Sequence, residues 1–271
     1  MKTLLVSPLT LALAIGLLAG LPLIALSSPT PTTRLAQFVP PPVPPQGAPG
    51  QRQGAASRGQ CPSTTKPLTA LVPLFSGNNP GRSNIPSQSN PILQSNPESI
   101  TSLVWGSTAS ARPGFWFYVP YAVQPQPTLE FVLQDDQGNT IYKTELAGTL
   151  PGVVGVQLPE TAAPLSPDKP YHWYFLVYCN PNEPVFVDGW IQRSNLSSAL
   201  QRQLATAPPR QKLALYRANG FWYDTLTIAA ELRRTNPTDP SLLTAWTDLL
   251  RSIGLEALNA EPVVPCCTAK P

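Results

Sequence analysis

Charge is scarce in this chain. Asp, Glu, Lys and Arg make up 12% of its residues, about half the usual share of a soluble domain. The net charge of +3 is mild, and Lys and Arg are scattered without a basic run. That pattern excludes the basic footprint of a nucleic-acid binder. Histidine is scarcer still: His172 is the single imidazole. Any acid–base scheme built on histidine has to pass through that one residue. The four cysteines form no C-x-x-C word, and none stands at ligand spacing from the histidine. Neither a redox dithiol nor a zinc site is indicated. The nucleophile elbow G-x-S-x-G, the phosphate-cradling glycine loop and the dinucleotide fingerprint are missing too. No cofactor, no metal and no nucleic acid partner is expected.

Proline is plentiful, with 35 residues gathered in particular stretches. Residues 1–36 read as a secretory signal peptide: Met1-Lys2 supplies a positive start and Leu4 to Leu26 is almost wholly apolar. Cleavage is expected near Ala25-Leu26-Ser27 or at the Ala36/Gln37 junction. No cysteine lies near either point, so a lipoprotein is not indicated. The competing reading is an uncleaved anchor, the only route by which this chain would meet a membrane. Residues 37–60 are a Pro/Gly-rich linker, beginning V-P-P-P-V-P-P at Val39, and such runs favour extended polyproline II.

Residues 61–193 carry a period of two. In Tyr171 to Cys179 it puts Tyr171, Trp173, Phe175, Val177 and Cys179 on one face. His172, Tyr174, Leu176 and Tyr178 take the other. Both faces are mostly apolar or aromatic, so an inner strand is expected. Phe115 to Tyr121 is similar and is the expected neighbour in the sheet. Leu68 to Leu74, Ile100 to Trp105, Leu129 to Leu133, Thr140 to Leu146, Val153 to Leu158 and Val185 to Gln192 are further strands. Asp135 to Asn139 is a hairpin turn by its Gly and Asn, and a solvated turn rather than a calcium loop. About seven or eight short strands with turns between them predict an antiparallel β-sandwich, Ig-like or similar. Residues 76–99 lose the pattern and read as an inserted surface loop.

Residues 194–260 change to a helical period. Leu196, Leu200 and Leu204 share a face, and Pro208-Pro209 ends that helix. Lys212 to Ala218 and Phe221 to Arg234 flank Asn219-Gly220 as one tetratricopeptide-like hairpin. Asp239-Pro240 opens a fourth helix. The chain is thus mainly β with α: a sandwich, then a C-terminal helical subdomain, then a Cys-containing tail, 261–271.

Certain words stand together: F-W-F-Y-V-P-Y (115–121), Y-H-W-Y-F (171–175), V-D-G-W-I-Q-R (187–193), G-F-W-Y-D-T-L (220–226), A-E-L-R-R-T-N-P-T-D-P (230–240) and Cys266-Cys267. Together they resemble a mainly cyanobacterial family, domain of unknown function number 928, from about residue 58 to Cys267. The tract around Ser76 to Ser95 looks inserted relative to that family. The resemblance implies an exported protein and hands over no activity.

In an exported chain, Cys61, Cys179, Cys266 and Cys267 suggest two disulfides. The preferred pairing takes both tail cysteines back, one to Cys61 and one to Cys179. His172 reads as a strand histidine bonded to a neighbour. The leading expectation is a non-enzymatic envelope or extracellular module, periplasmic or secreted, whose partner is an envelope or extracellular protein or a glycan. Its binding surface would lie around Trp222, Tyr223 and Trp246 wherever these stay exposed; core packing is the favoured reading of all three. The alternative is a carbohydrate-active or other hydrolase, which needs two of Glu130, Glu183, Asp188 and Asp224 in one cleft.

Overall fold

The computed structural model describes residues 50–54, 61–75, 103–121, 128–146, 151–180 and 182–265. The apolar N-terminal segment, most of the linker, the 76–99 excursion, and Cys266 and Cys267 lie outside the described residues. Within them the chain is mostly β, with helices at its C-terminal end.

Two sheets hold the described strands. One has the order β2-β3-β9-β8-β5-β6, built from β2 (Leu74–Phe75), β3 (Leu103–Thr108), β9 (Val185–Arg193), β8 (Pro170–Tyr178), β5 (Thr128–Gln134) and β6 (Thr140–Leu146). The other has the order β1-β4-β7, from β1 (Thr69–Ala70), β4 (Gly114–Val119) and β7 (Gly152–Gln157). β8 is the inner strand its composition predicts, paired antiparallel with β5 on one side and β9 on the other. Tyr171, Trp173, Phe175 and Val177 enter the core shared by the two sheets. His172, Tyr174, Leu176 and Tyr178 are buried on the opposite face.

Three expectations are corrected. The aromatic strands β4 and β8 are not neighbours in one ladder. They face each other from opposite sheets, with Phe117 stacked on Phe175 at 4.0 Å between ring centroids. A strand apolar on both faces needs cover on both, and a facing sheet supplies one of them. Nor is the pairing wholly antiparallel. β3 runs parallel to β9, with Trp105 opposite Trp190, because the long path between them is a crossover and not a hairpin. Leu68 to Leu74 is not one strand. Thr69–Ala70 pairs in one sheet and Leu74–Phe75 in the other, with Pro73 between them. Proline donates no hydrogen bond to a ladder, and the segment changes sheets there.

The β5–β6 hairpin matches its pattern, and Gly138 takes a φ of 84° in its turn. Asp135 accepts the N–H groups of Gln137 and Asn139 through one oxygen and the Asn139 amide through the other. Its carboxylate is used by the turn itself.

Five residues of the stretch expected as linker are described. Residues 50–54 lie against the domain as a strap. The Asp188 N–H donates to Gln51 O, the Ala70 N–H to Arg52 O, and the Gly54 N–H to Leu68 O. The Arg52 guanidinium reaches Ile253 O at 2.8 Å. β3 pairs with β9 only from Trp190 onward. The strap therefore satisfies backbone groups of β9 that β3 leaves open.

Four helices follow among the described residues: α1 (Ser198–Thr206), α2 (Pro209–Ala218), α3 (Trp222–Thr235) and α4 (Pro240–Arg251), then a short 3₁₀ turn, Glu256–Leu258. Ser197 caps α1 by accepting the Leu200 N–H, and Asp239 caps α4 by accepting those of Ser241 and Leu242. Gly220, at φ 74°, turns α2 into α3. Leu226, Ala229, Ala230, Trp246, Leu249 and Leu250 pack on Trp116, Tyr118 and Val153, the outer face of the smaller sheet. Beyond the 3₁₀ turn the chain runs beside β7: the Val153 N–H donates to Pro262 O and the Val264 N–H to Val153 O.

Candidate functional site

Where the helices meet the sheets, a cleft opens. Its position follows from one tyrosine. Tyr223, in the first turn of α3, is fully buried against β3, where Gly106 presents no side chain. A Cβ on Gly106 would stand 2.8 Å from the Tyr223 ring. The phenol accepts the Trp173 indole N–H at 2.8 Å and donates to Trp190 O at 3.2 Å. Burial pushes its pKa far up, so it stays protonated and can donate.

With Tyr223 seated, the next residue of α3 meets the turn between β3 and β4. Asp224 accepts the Ala109 N–H at 2.9 Å. Burial raises its carboxyl above the ordinary carboxylate range, and hydrogen bonds from Ala109, Thr108 and Ser110 oppose that rise. The cleft lies beside this clamp. It measures about 330 Å³ and is lined by the 108–114 turn, Gln157 of β7, Tyr216 of α2, and Tyr223, Asp224 and Thr227 of α3. Its floor is Gly114. A Cβ built there would come within 3.0 Å of both Gln157 Oε1 and Thr227 Oγ1.

A family model described as Domain of Unknown Function (DUF928) matches residues 53–263. The chain belongs to this family. The DUF928 span begins at Gln53, which bridges to Thr69, and ends at Val263, which bridges to Val153. It therefore takes in the end of the strap, both sheets, the four helices and the pairing beside β7. No curated protein matches the chain, and no solved structure does.

A second polar cluster of the DUF928 domain surrounds its one histidine. His172 Nε2 lies 2.8 Å from Asp188 Oδ2, and Nδ1 lies 3.1 Å from the Tyr174 hydroxyl. Trp190 stacks on the imidazole at 4.3 Å. Burial, then the Asp188 charge, drives the Tyr174 phenol upward. It therefore stays protonated beside Nδ1. The other Asp188 oxygen accepts the Gln51 N–H at 2.9 Å. The cluster ties β8 to β9 and holds the strap.

The three aromatic residues weighed for a binding surface, with core packing the favoured reading, have unequal fates. Trp246 and Tyr223 are each 1% exposed. Trp246 belongs to the core under α3 and α4, and Tyr223 to the core between the sheets. Trp222 is half-buried, its indole N–H bonded to Leu71 O at 2.9 Å. The four acids weighed for hydrolysis are dispersed. Glu130 pairs with Lys143 at 3.0 Å, Asp188 with His172, and Glu183 is exposed in the β8–β9 turn. Of these only Asp224 lines the cleft. Among the described residues no group of three or more His, Cys, Asp or Glu side chains is placed to hold a metal ion.

Cys61 is bonded to Cys179. The preferred pairing, with each tail cysteine reaching back, is overturned, because its two intended acceptors take each other. Sequence reasoning also passed over Gly114, Ser110, Gln157, Tyr216 and Thr227. Arg112-Pro113-Gly114 is a turn signal between strands, but nothing local marks it as a cleft floor.

Proposed function

We propose that this chain is an exported, non-enzymatic binding module of the cell envelope or extracellular space, built on a two-layer β-sandwich scaffold. The observation that carries this reading is the Cys61–Cys179 disulfide. Such bonds persist in oxidising compartments and are rare where thiols are kept reduced. The apolar stretch Leu4 to Leu26 supports export. The cleft, with one carboxylate already committed to the β3–β4 turn, supports binding over two-carboxylate hydrolysis. The partner is an envelope or extracellular protein or a glycan.

The test is fractionation of cells expressing the whole chain, with N-terminal sequencing and non-reducing peptide mapping of the product. The expected product starts after Ala25 to Ser27 or at Gln37, lies outside the cytoplasm, and carries the Cys61–Cys179 peptide pair. The same map reads the state of Cys266 and Cys267. Cytoplasmic recovery with free thiols at Cys61 and Cys179 overturns the proposal.

A further inference from the structure

The cleft over Gly114 has unused hydrogen-bonding capacity and no unused charge. Thr227 Oγ1 accepts the Trp116 indole N–H at 3.0 Å, and its own proton has no acceptor among the described residues. Ser110 Oγ accepts the Arg112 N–H at 3.1 Å and likewise keeps its proton. Gln157 spends an amide proton on Arg112 O at 2.6 Å, which leaves Oε1 open as an acceptor. Tyr216 brings a phenol and an aromatic face, with Leu196, Pro113 and Ile228 as apolar walls.

The charged groups are already engaged. Asp224 accepts the Ala109 N–H. The Arg112 guanidinium donates to Ala162 O at 3.2 Å and stands 3.6 Å from Glu160. A charged ligand would have to compete with those partners and would lose its own hydration. A ligand with neutral hydroxyls and an apolar face would fill the open donors and acceptor and lie on the walls. The volume of about 330 Å³ is at the small end of the roughly 300–1,000 Å³ usual for ligand pockets. We infer that this cleft binds a neutral saccharide, one or two rings in size, over Gly114. The inference rests on the binding-module reading and gives that module its ligand class.

The test uses the mature, disulfide-bonded chain and ligand-observed NMR with methyl glucoside, N-acetylglucosamine and cellobiose. Glucuronic acid and glucosamine serve as charged comparisons. At least one neutral sugar is expected to bind, with a Kd on the order of 1 mM as suits so small a ligand. Gly114→Ala places a methyl group on the cleft floor without a positive-φ penalty. It would meet Gln157 Oε1 and Thr227 Oγ1 at 3.0 Å and the Trp116 indole nitrogen at 3.4 Å, so the variant's melting temperature is measured alongside and Tyr216→Phe stands as the second variant. Its affinity should fall at least about tenfold. Tyr216→Phe, which removes one hydroxyl at constant shape, should weaken binding without touching the floor. Absence of binding by every neutral sugar, tighter binding of a charged sugar, or indifference of affinity to both substitutions overturns the inference. Those results leave the export reading standing, because fractionation and peptide mapping decide it separately.

Discussion

Tyr223 joins three parts of the molecule through one oxygen. Its hydroxyl links the Trp173 indole of β8 to the Trp190 carbonyl of β9, from a position on α3. Tyr223→Phe keeps the ring and strands the Trp173 N–H in an apolar interior. Loss of about 1–3 kcal/mol is expected, read from the urea midpoint at unchanged slope. Asp239 supplies a different kind of test. Hydrogen bonds from Ser241, with further help from Arg210 and the Leu242 N–H, hold its carboxyl at about 2. The folded value lies below the unfolded one of about 3.9. Its contribution is therefore complete above about pH 4 and is lost as pH falls through about 2. The melting-temperature gap between the parent and Asp239→Ala should be constant from about pH 7 to 5 and close between about pH 4 and 2. A gap independent of pH would contradict the assignment.

The helices are held by what they cover. Trp246 of α4 is buried with Trp116 and Tyr118 of β4, and Arg233 of α3 lies over its indole at 5.4 Å. Trp246→Ala leaves a cavity where α4, α3 and the smaller sheet meet. A cost of about 3–5 kcal/mol is expected, measured by urea unfolding. Hydrogen exchange should quicken first in α4 and beside β7. These helices were legible in advance, because the Leu242, Trp246, Leu249 and Leu250 stripe and the Asp239-Pro240 start are local signals. The β5–β6 hairpin was legible for the same reason. β1 and β2 were not: Leu68 to Leu74 alternates like one strand, and only the distance between two sheets divides it at Pro73.

Covalent and backbone ties close the molecule around its two sheets. Cys61 and Cys179 are 118 residues apart, and closing a loop of that length stabilises by about 4–5 kcal/mol in the chain-entropy model. Replacing both with serine should lower the unfolding free energy by up to that amount. Binding to the Gly114 cleft should persist in the fraction that stays folded, because neither cysteine lines it. Residues 262–264 are held beside β7 by the backbone, through their pairing with Val153.

Side-chain alternation and helical spacing repeat over a few residues, so the sequence alone determined most of the strands, β1 and β2 apart, and the helical stretches. It also determined that the ribbon from Tyr171 would be buried on both faces. Tertiary structure decided that β4 faces β8, that β3 lies parallel to β9, that Cys61 takes Cys179, and that Gln51 reaches Asp188 from 137 positions away. It decided the cleft as well, since Gly114, Gln157 and Thr227 belong to three separate elements. Contacts of that range depend on how whole layers stack, and no local period encodes them.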